Sequence, residues 1–183
     1  MELTRSQRFI RDYSRKLKSS AEFFNKDSNL MTVKDYEEAK WRVLIVFPSP
    51  ASTKAVSQTL AVMNDFVISS CPGVFIDFAF IPETEDIKYY DKESMPYALG
   101  IVTGLDPSHY DAVGFSISIH FEQITSVWIL NTFSRCDKPI PLTWSERKDM
   151  KVGDVPIMSI GGILGSCTDM VFGDLGDGRK AFI

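Results

Sequence analysis

Four short stretches of the chain are apolar at almost every position, and no other feature narrows the fold as far. Val43-Leu44-Ile45-Val46-Phe47 ends at Pro48-Ser49-Pro50, and Val74 to Ile81 ends at Pro82. Ala112 to Ile117 is the third stretch, and Val155 to Ile160 the fourth, closed by Gly161-Gly162. A strand with one wet face alternates apolar and polar residues, whereas a strand covered on both faces need not. After the first run, Val56, Leu60, Met63 and Val67 stand at helical spacing between Lys54 and Ser70. After the third, Ile124, Val127, Trp128, Ile129, Leu130 and Phe133 do the same between Glu122 and Cys136. Alternating strands and helices imply right-handed crossovers and a parallel sheet with helices on its faces.

The predicted fold is an open α/β domain of flavodoxin-like or Rossmann-like type over residues 42–183. Its sheet is mainly parallel and five-stranded, with the weaker run Met170-Val171-Phe172 as the fifth strand. Residues 82–110 are acidic and broken by Pro96, Gly100, Gly104 and Pro107, so a short helix and loops replace a full crossover helix there. Residues 1–41 form a helical extension. Leu3, Ile10, Tyr13, Leu17, Ala21 and Phe24 share one face, and Thr32 is a cap candidate for a second, short helix. Six basic residues against two acidic give the first twenty residues a charge of +4. That basic face either lies outermost on a helix docked to its own domain or meets a partner, an acidic surface or RNA. A membrane-interface anchor is disfavoured by a narrow apolar stripe without Trp.

Charge and cysteine usage exclude several classes. With 20 basic and 24 acidic residues the net charge is −4, so a surface basic throughout, as a general nucleic-acid binder has, is excluded, while a local basic patch is not. Cys71, Cys136 and Cys167 form neither a CxxC pair nor an even-numbered disulfide framework. No apolar run spans a bilayer, and the charged amino terminus lacks the apolar core of a signal peptide. The expected compartment is the cytoplasm.

In doubly wound sheets, ligands bind beyond the carboxyl ends of the strands, where strand order reverses. This nominates the loops 48–54, 116–122 and 161–168. The first offers Ser49, Ser52 and Thr53 to a phosphate or as helix caps, but has no GxxxxGK[ST] and no GxGxxG. Phosphoryl chemistry of the response-regulator kind needs carboxylates where this chain has Pro48 and Ser116. Ser116 and Ser118 are small enough to line a pocket, and Gly161-Gly162 lets a ligand or a backbone come close. His120 near a strand end is a candidate proton shuttle or ligand without a partner at ligand spacing; His109, in a loop, has a weaker claim. Gly114-Phe115-Ser116 is followed by isoleucine and serine, so it is no GxSxG elbow. The acidic glycine loop 173–178 alone does not define a calcium site.

The order of landmarks is more specific than any one of them. Val46-Phe47-Pro48, Ile81-Pro82, Tyr110-Asp111-Ala112-Val113-Gly114-Phe115-Ser116, Pro156-Ile157-Met158-Ser159-Ile160-Gly161-Gly162 and Gly176-Asp177-Gly178 follow in sequence. This series resembles the amino-terminal cobalamin-binding domain of radical S-adenosylmethionine enzymes, which carries "fD.vgfS", "P.v.GG" and "GeGe" in the same order. The resemblance runs from Arg42 to the end of the chain. It implies that Pro48, Ser49, Ser116, Ser118, Gly161 and Gly162 line a corrin pocket, with the glycine pair admitting the cobalamin nucleotide tail. No catalytic residue and no metal ligand of the chain's own is implied.

Departures from the family's pattern are equally concrete. No DxHxxG follows the first strand, Arg179 stands where the family often has an acid, and no CxxxCxxC is present to hold an iron–sulfur cluster. S-adenosylmethionine and that cluster therefore belong to a further domain or partner. The sequence stops at Ile183, inside the last expected helix. Three accounts stay open: part of a longer radical enzyme, a separate cobalamin-binding subunit, or a degenerate copy acting as a structural or interaction module docked through its basic amino-terminal helix.

Overall fold

A computed structural model of the chain describes residues 2–18, 30–54, 58–151 and 153–161. Four strands, β1 (Trp41–Pro50), β2 (Val74–Ile81), β3 (Ala112–Ser116) and β4 (Ile157–Gly161), form one sheet in the order β2-β1-β3-β4. All neighbours run parallel, with Leu44 between Asp77 and Val113, and Val113 beside Met158. The sheet has four strands where the sequence suggests five; Met170-Val171-Phe172 lies outside the described residues. From β1 the chain first builds outward to β2 and then crosses back to β3 on the other side. Strand order therefore reverses between β1 and β3.

Alternation along the strands divides the apolar side chains between two faces. On one, Leu44, Val46, Phe75, Ala79, Val113, Phe115 and Met158 pack with Ile129, Leu130 and Phe133. These last come from α6 (His120–Asn131) and the 3-10 turn Phe133–Arg135 that follows it. On the other, Phe47, Ile76, Phe78 and Phe80 pack with Leu60, Met63 and Val67 of α4 (Gln58–Ser70). The short α3 (Ala51–Lys54) precedes α4, and α7 (Trp144–Arg147) lies in the connection to β4. Helices on both faces make this a Rossmann-like α/β layer arrangement. Among the described residues, no helix is long and apolar enough to cross a membrane.

The amino-terminal segment packs on this domain. In α1 (Arg5–Tyr13), Thr4 and Gln7 exchange side-chain-to-backbone bonds of 3.3 and 3.1 Å in a capping box. Phe9 and, just beyond the helix, Leu17 bury against Tyr90, Met95 and Leu99, at and just after α5 (Thr84–Lys92). Arg8, Arg11, Arg15, Lys16 and Lys18 stay exposed. Thr32 caps the short α2 (Val33–Glu38), whose Tyr36 stands edge-on to Phe75.

The irregular connection between α5 and β3 is held by one carboxylate. Asp77, in the middle of β2, is fully buried and accepts hydrogen bonds from the amides of Phe78 (2.8 Å), Val102 (3.0 Å) and Thr103 (3.1 Å). The hydroxyls of Thr103 and Tyr110 donate to it as well, each at 2.9 Å. A Cβ at Gly100 would overlap the Tyr110 hydroxyl and the Asp77 carboxylate, so only glycine admits this approach. Burial pushes the Asp77 carboxyl above its ordinary 3.8, with its hydrogen bonds pulling the other way. The folded chain thus holds this proton more tightly than the unfolded one. The resulting stability is complete at acid pH and declines as pH rises past 3.8 through the folded value.

Replacing Asp77 by Asn, which turns an N–H toward existing donors, should lower the unfolding free energy by about 2–4 kcal/mol. Gly100→Ala should cost about 1–3 kcal/mol, and the pair should cost less than the sum because both break one knot. Denaturant titrations between pH 4 and 7 check both points. The difference between wild type and Asp77→Asn should shrink as pH rises; a constant difference and additive costs would contradict the account.

Candidate functional site at the carboxyl edge of the sheet

Parallel strands bring the carboxyl ends of β1, β3 and β4 to one edge. Ser116 and Gly161 are register partners there, and the amide of Ile117 donates to the Gly161 carbonyl at 2.9 Å. Gly161 is exposed, and no described atom lies within 4 Å of where its Cβ would stand. Ser116 and Ser118 are half-buried. Pro48 and Ser49 are buried, so the first-strand pair does not reach the surface of this edge. Gly162 lies outside the described residues.

The crevice between β1 and β3 is built around a residue that the sequence did not single out. Glu122, in the first turn of α6, is fully buried. Its Oε1 accepts the Ser49 hydroxyl at 2.7 Å, and its Oε2 accepts the amides of Ser118 at 2.5 Å and Ile119 at 3.2 Å. An acid three residues after the N-cap commonly reaches back to the cap amide, and the positive end of the helix favours its charge. This one extends further, to the end of β1. It brings Ser49 and Ser118 to a common centre while Ser116 and Gly161 stay on the β3–β4 side. The acid three residues after Ile119 was the available signal, obscured because isoleucine is an atypical cap.

A second carboxylate takes the other hydroxyl nominated beside the first strand. Ser52 donates to Glu83, which follows β2, at 2.5 Å. Ser49 and Ser52 thus both donate to acids of the chain itself. The side chain of Thr53 lies outside the described residues.

The histidines separate. His120 opens α6 and is exposed. His109 lies at the opposite, amino end of β3, with Nε2 3.1 Å from Asp137 Oδ2 and 3.9 Å from Asp106 Oδ2. Asp106, His109 and Asp137 are close enough together to hold a metal ion. Asp106 is nevertheless committed to the Ser108 amide and hydroxyl at 2.9 and 2.6 Å and to the Asp137 amide at 3.0 Å. Arg5 stands 3.6 Å from Asp137 and also donates to the Arg135 carbonyl. The cluster thus already has a cation, and it clasps α1 to the connection after α6. Buried Cys136 lies beside Asp106; burial and that carboxylate push its thiol well above the ordinary range, which keeps it unreactive. A depression of about 60 Å³ near this end is lined by Tyr110, Asp111, Lys138 and Asp154. Cofactor pockets measure roughly 300–1,000 Å³, so a cofactor does not fit it.

Comparison of the chain with protein-family models, curated proteins and solved structures found no match. The class is therefore defined by fold and edge alone: a Rossmann-like parallel α/β domain.

Proposed function

We propose that the chain is a non-catalytic ligand-binding domain of cobalamin-binding type, working with a radical S-adenosylmethionine domain on the same or a separate chain. The observation that carries this reading is Gly161. It ends a parallel strand beside Ser116, and among the described residues no atom lies within 4 Å of where its Cβ would stand. A glycine at a strand end lets a ligand come close to the backbone. Ser116, Ser118 and Gly161 fit a large, flat group laid on the β3–β4 side of the edge. Pro48 and Ser49 support that edge from beneath. Bound cobalamin would supply a methyl carrier or tune a radical step, and the iron–sulfur chemistry would come from the other domain.

Titration of the full chain with hydroxocobalamin, followed by visible absorbance, tests this directly. Wild type should give a saturable spectral change. Gly161→Leu should weaken binding by at least about tenfold, roughly 1.4 kcal/mol, while leaving stability within about 0.5 kcal/mol. Equal affinity in the two chains would remove Gly161 from the site, and no spectral change in wild type would end the cobalamin reading.

A second reading, docking through the amino-terminal helix, is favoured by α1 itself. Its apolar face is spent on its own domain, which leaves Arg8 and Arg11 of the helix, and Arg15 just after it, exposed. Reversing these three charges should leave the unfolding midpoint unchanged and release any protein that co-purifies with the chain from its native source. A complex that survives the reversal would contradict this use of the helix.

A further inference from the structure

Among the described residues, three donors from two elements converge on the Glu122 carboxylate: the Ser49 hydroxyl from the end of β1, and the amides of Ser118 and Ile119 at the start of α6. A hydroxyl and helix-start amides at the point of strand reversal are the groups with which parallel α/β domains hold the phosphate of a ligand. We propose that Glu122 is the specificity-determining residue of this edge. Its tethered, buried carboxyl group fills the phosphate seat and restricts the domain to ligands not anchored there by a phosphate.

Burial and geometry both argue for this role. Glu122 and Ser49 are 0% and 4% exposed, so the bond between them is shielded from water, and an incoming anion reaches these donors only by displacing the carboxylate. On the β2 side the Ser52 hydroxyl also donates to a carboxylate, that of Glu83, in an exposed pair. On the β3–β4 side Ser116 and Ser118 are half-buried and Gly161 is exposed. The ligand class follows: a group held by shape and neutral contacts on the β3–β4 side, with any phosphate lying away from the β1–β3 crevice. This deepens the reading of the edge as a ligand site and rests on it for the ligand class. The state of the phosphate seat is tested without that ligand.

The probe is inorganic phosphate, compared with sodium chloride at equal ionic strength, and the readout is the thermal unfolding midpoint of the full chain. Wild type should shift equally in the two salts. Glu122→Ala, which leaves the three donors around a space the size of the lost side chain, should melt lower and gain about 5 °C or more in tens of millimolar phosphate. A phosphate-specific gain in wild type, or none in folded Glu122→Ala, would overturn the assignment. Should the alanine variant not fold, amide hydrogen exchange of wild type and Glu122→Gln decides. Ser118 and Ile119 should be protected at least about 100-fold in wild type, with a loss of protection in the variant. Unprotected amides in wild type, or unchanged protection in the variant, would refute it. Failure of hydroxocobalamin to bind would remove the proposed ligand and leave the phosphate comparison intact.

Discussion

The carboxyl edge of this sheet depends on how one buried charge is satisfied. Glu122 sits where strand order reverses, and its carboxylate joins the end of β1 to the turn between β3 and α6. An unpaired carboxylate in that position would cost several kcal/mol, so the three donors around it are a condition for the turn to close. They fix where α6 begins and bury Ser49. Ser116 and Ser118 stay half-buried and Gly161 exposed on the β3–β4 side, where the ligand reading places its contacts.

A second buried acid does comparable work away from the site. Asp77 takes the place of an apolar residue in β2 and gathers Val102, Thr103 and Tyr110, so a connection without a crossover helix still satisfies its backbone groups. Both acids anchor irregular backbone through hydrogen bonds. Both are surrounded by donors, with neutral partners in place of lysine or arginine in the bonds described. The difference lies in location: Asp77 supports the scaffold, and Glu122 governs what the scaffold can bind.

The strands were legible because double burial leaves unbroken apolar runs, and β1 to β4 lie where those runs lie. The break-up of residues 82–110 was legible from its prolines and glycines. Helix α6 was legible in place and only partly in orientation. Its apolar residues suggested one inward stripe, yet Phe121, Ile124 and Trp128 face outward while Glu122, Gln123, Thr125 and Ser126 are buried. Thr125 and Ser126 make this possible by returning their hydroxyls to the carbonyls of Phe121 and Glu122 at 3.1 and 2.6 Å. Periodicity counts apolar side chains and is blind to polar ones satisfied within the helix. For the same reason Asp77 passed unremarked within the second apolar run and Glu122 read as a helix boundary. Their roles arise from donors distant in sequence, which spacing does not reveal.

The central claim is that the edge receives its ligand on the β3–β4 side of a crevice sealed by Glu122. Mapping backbone amide resonances of the full chain during titration with hydroxocobalamin addresses it residue by residue. The account predicts the largest shifts at Ser116 and Gly161, with Phe47 and Ser49 unmoved. Shifts centred on Phe47 and Ser49 would mean that the ligand opens the crevice, and the account of a sealed seat would be wrong.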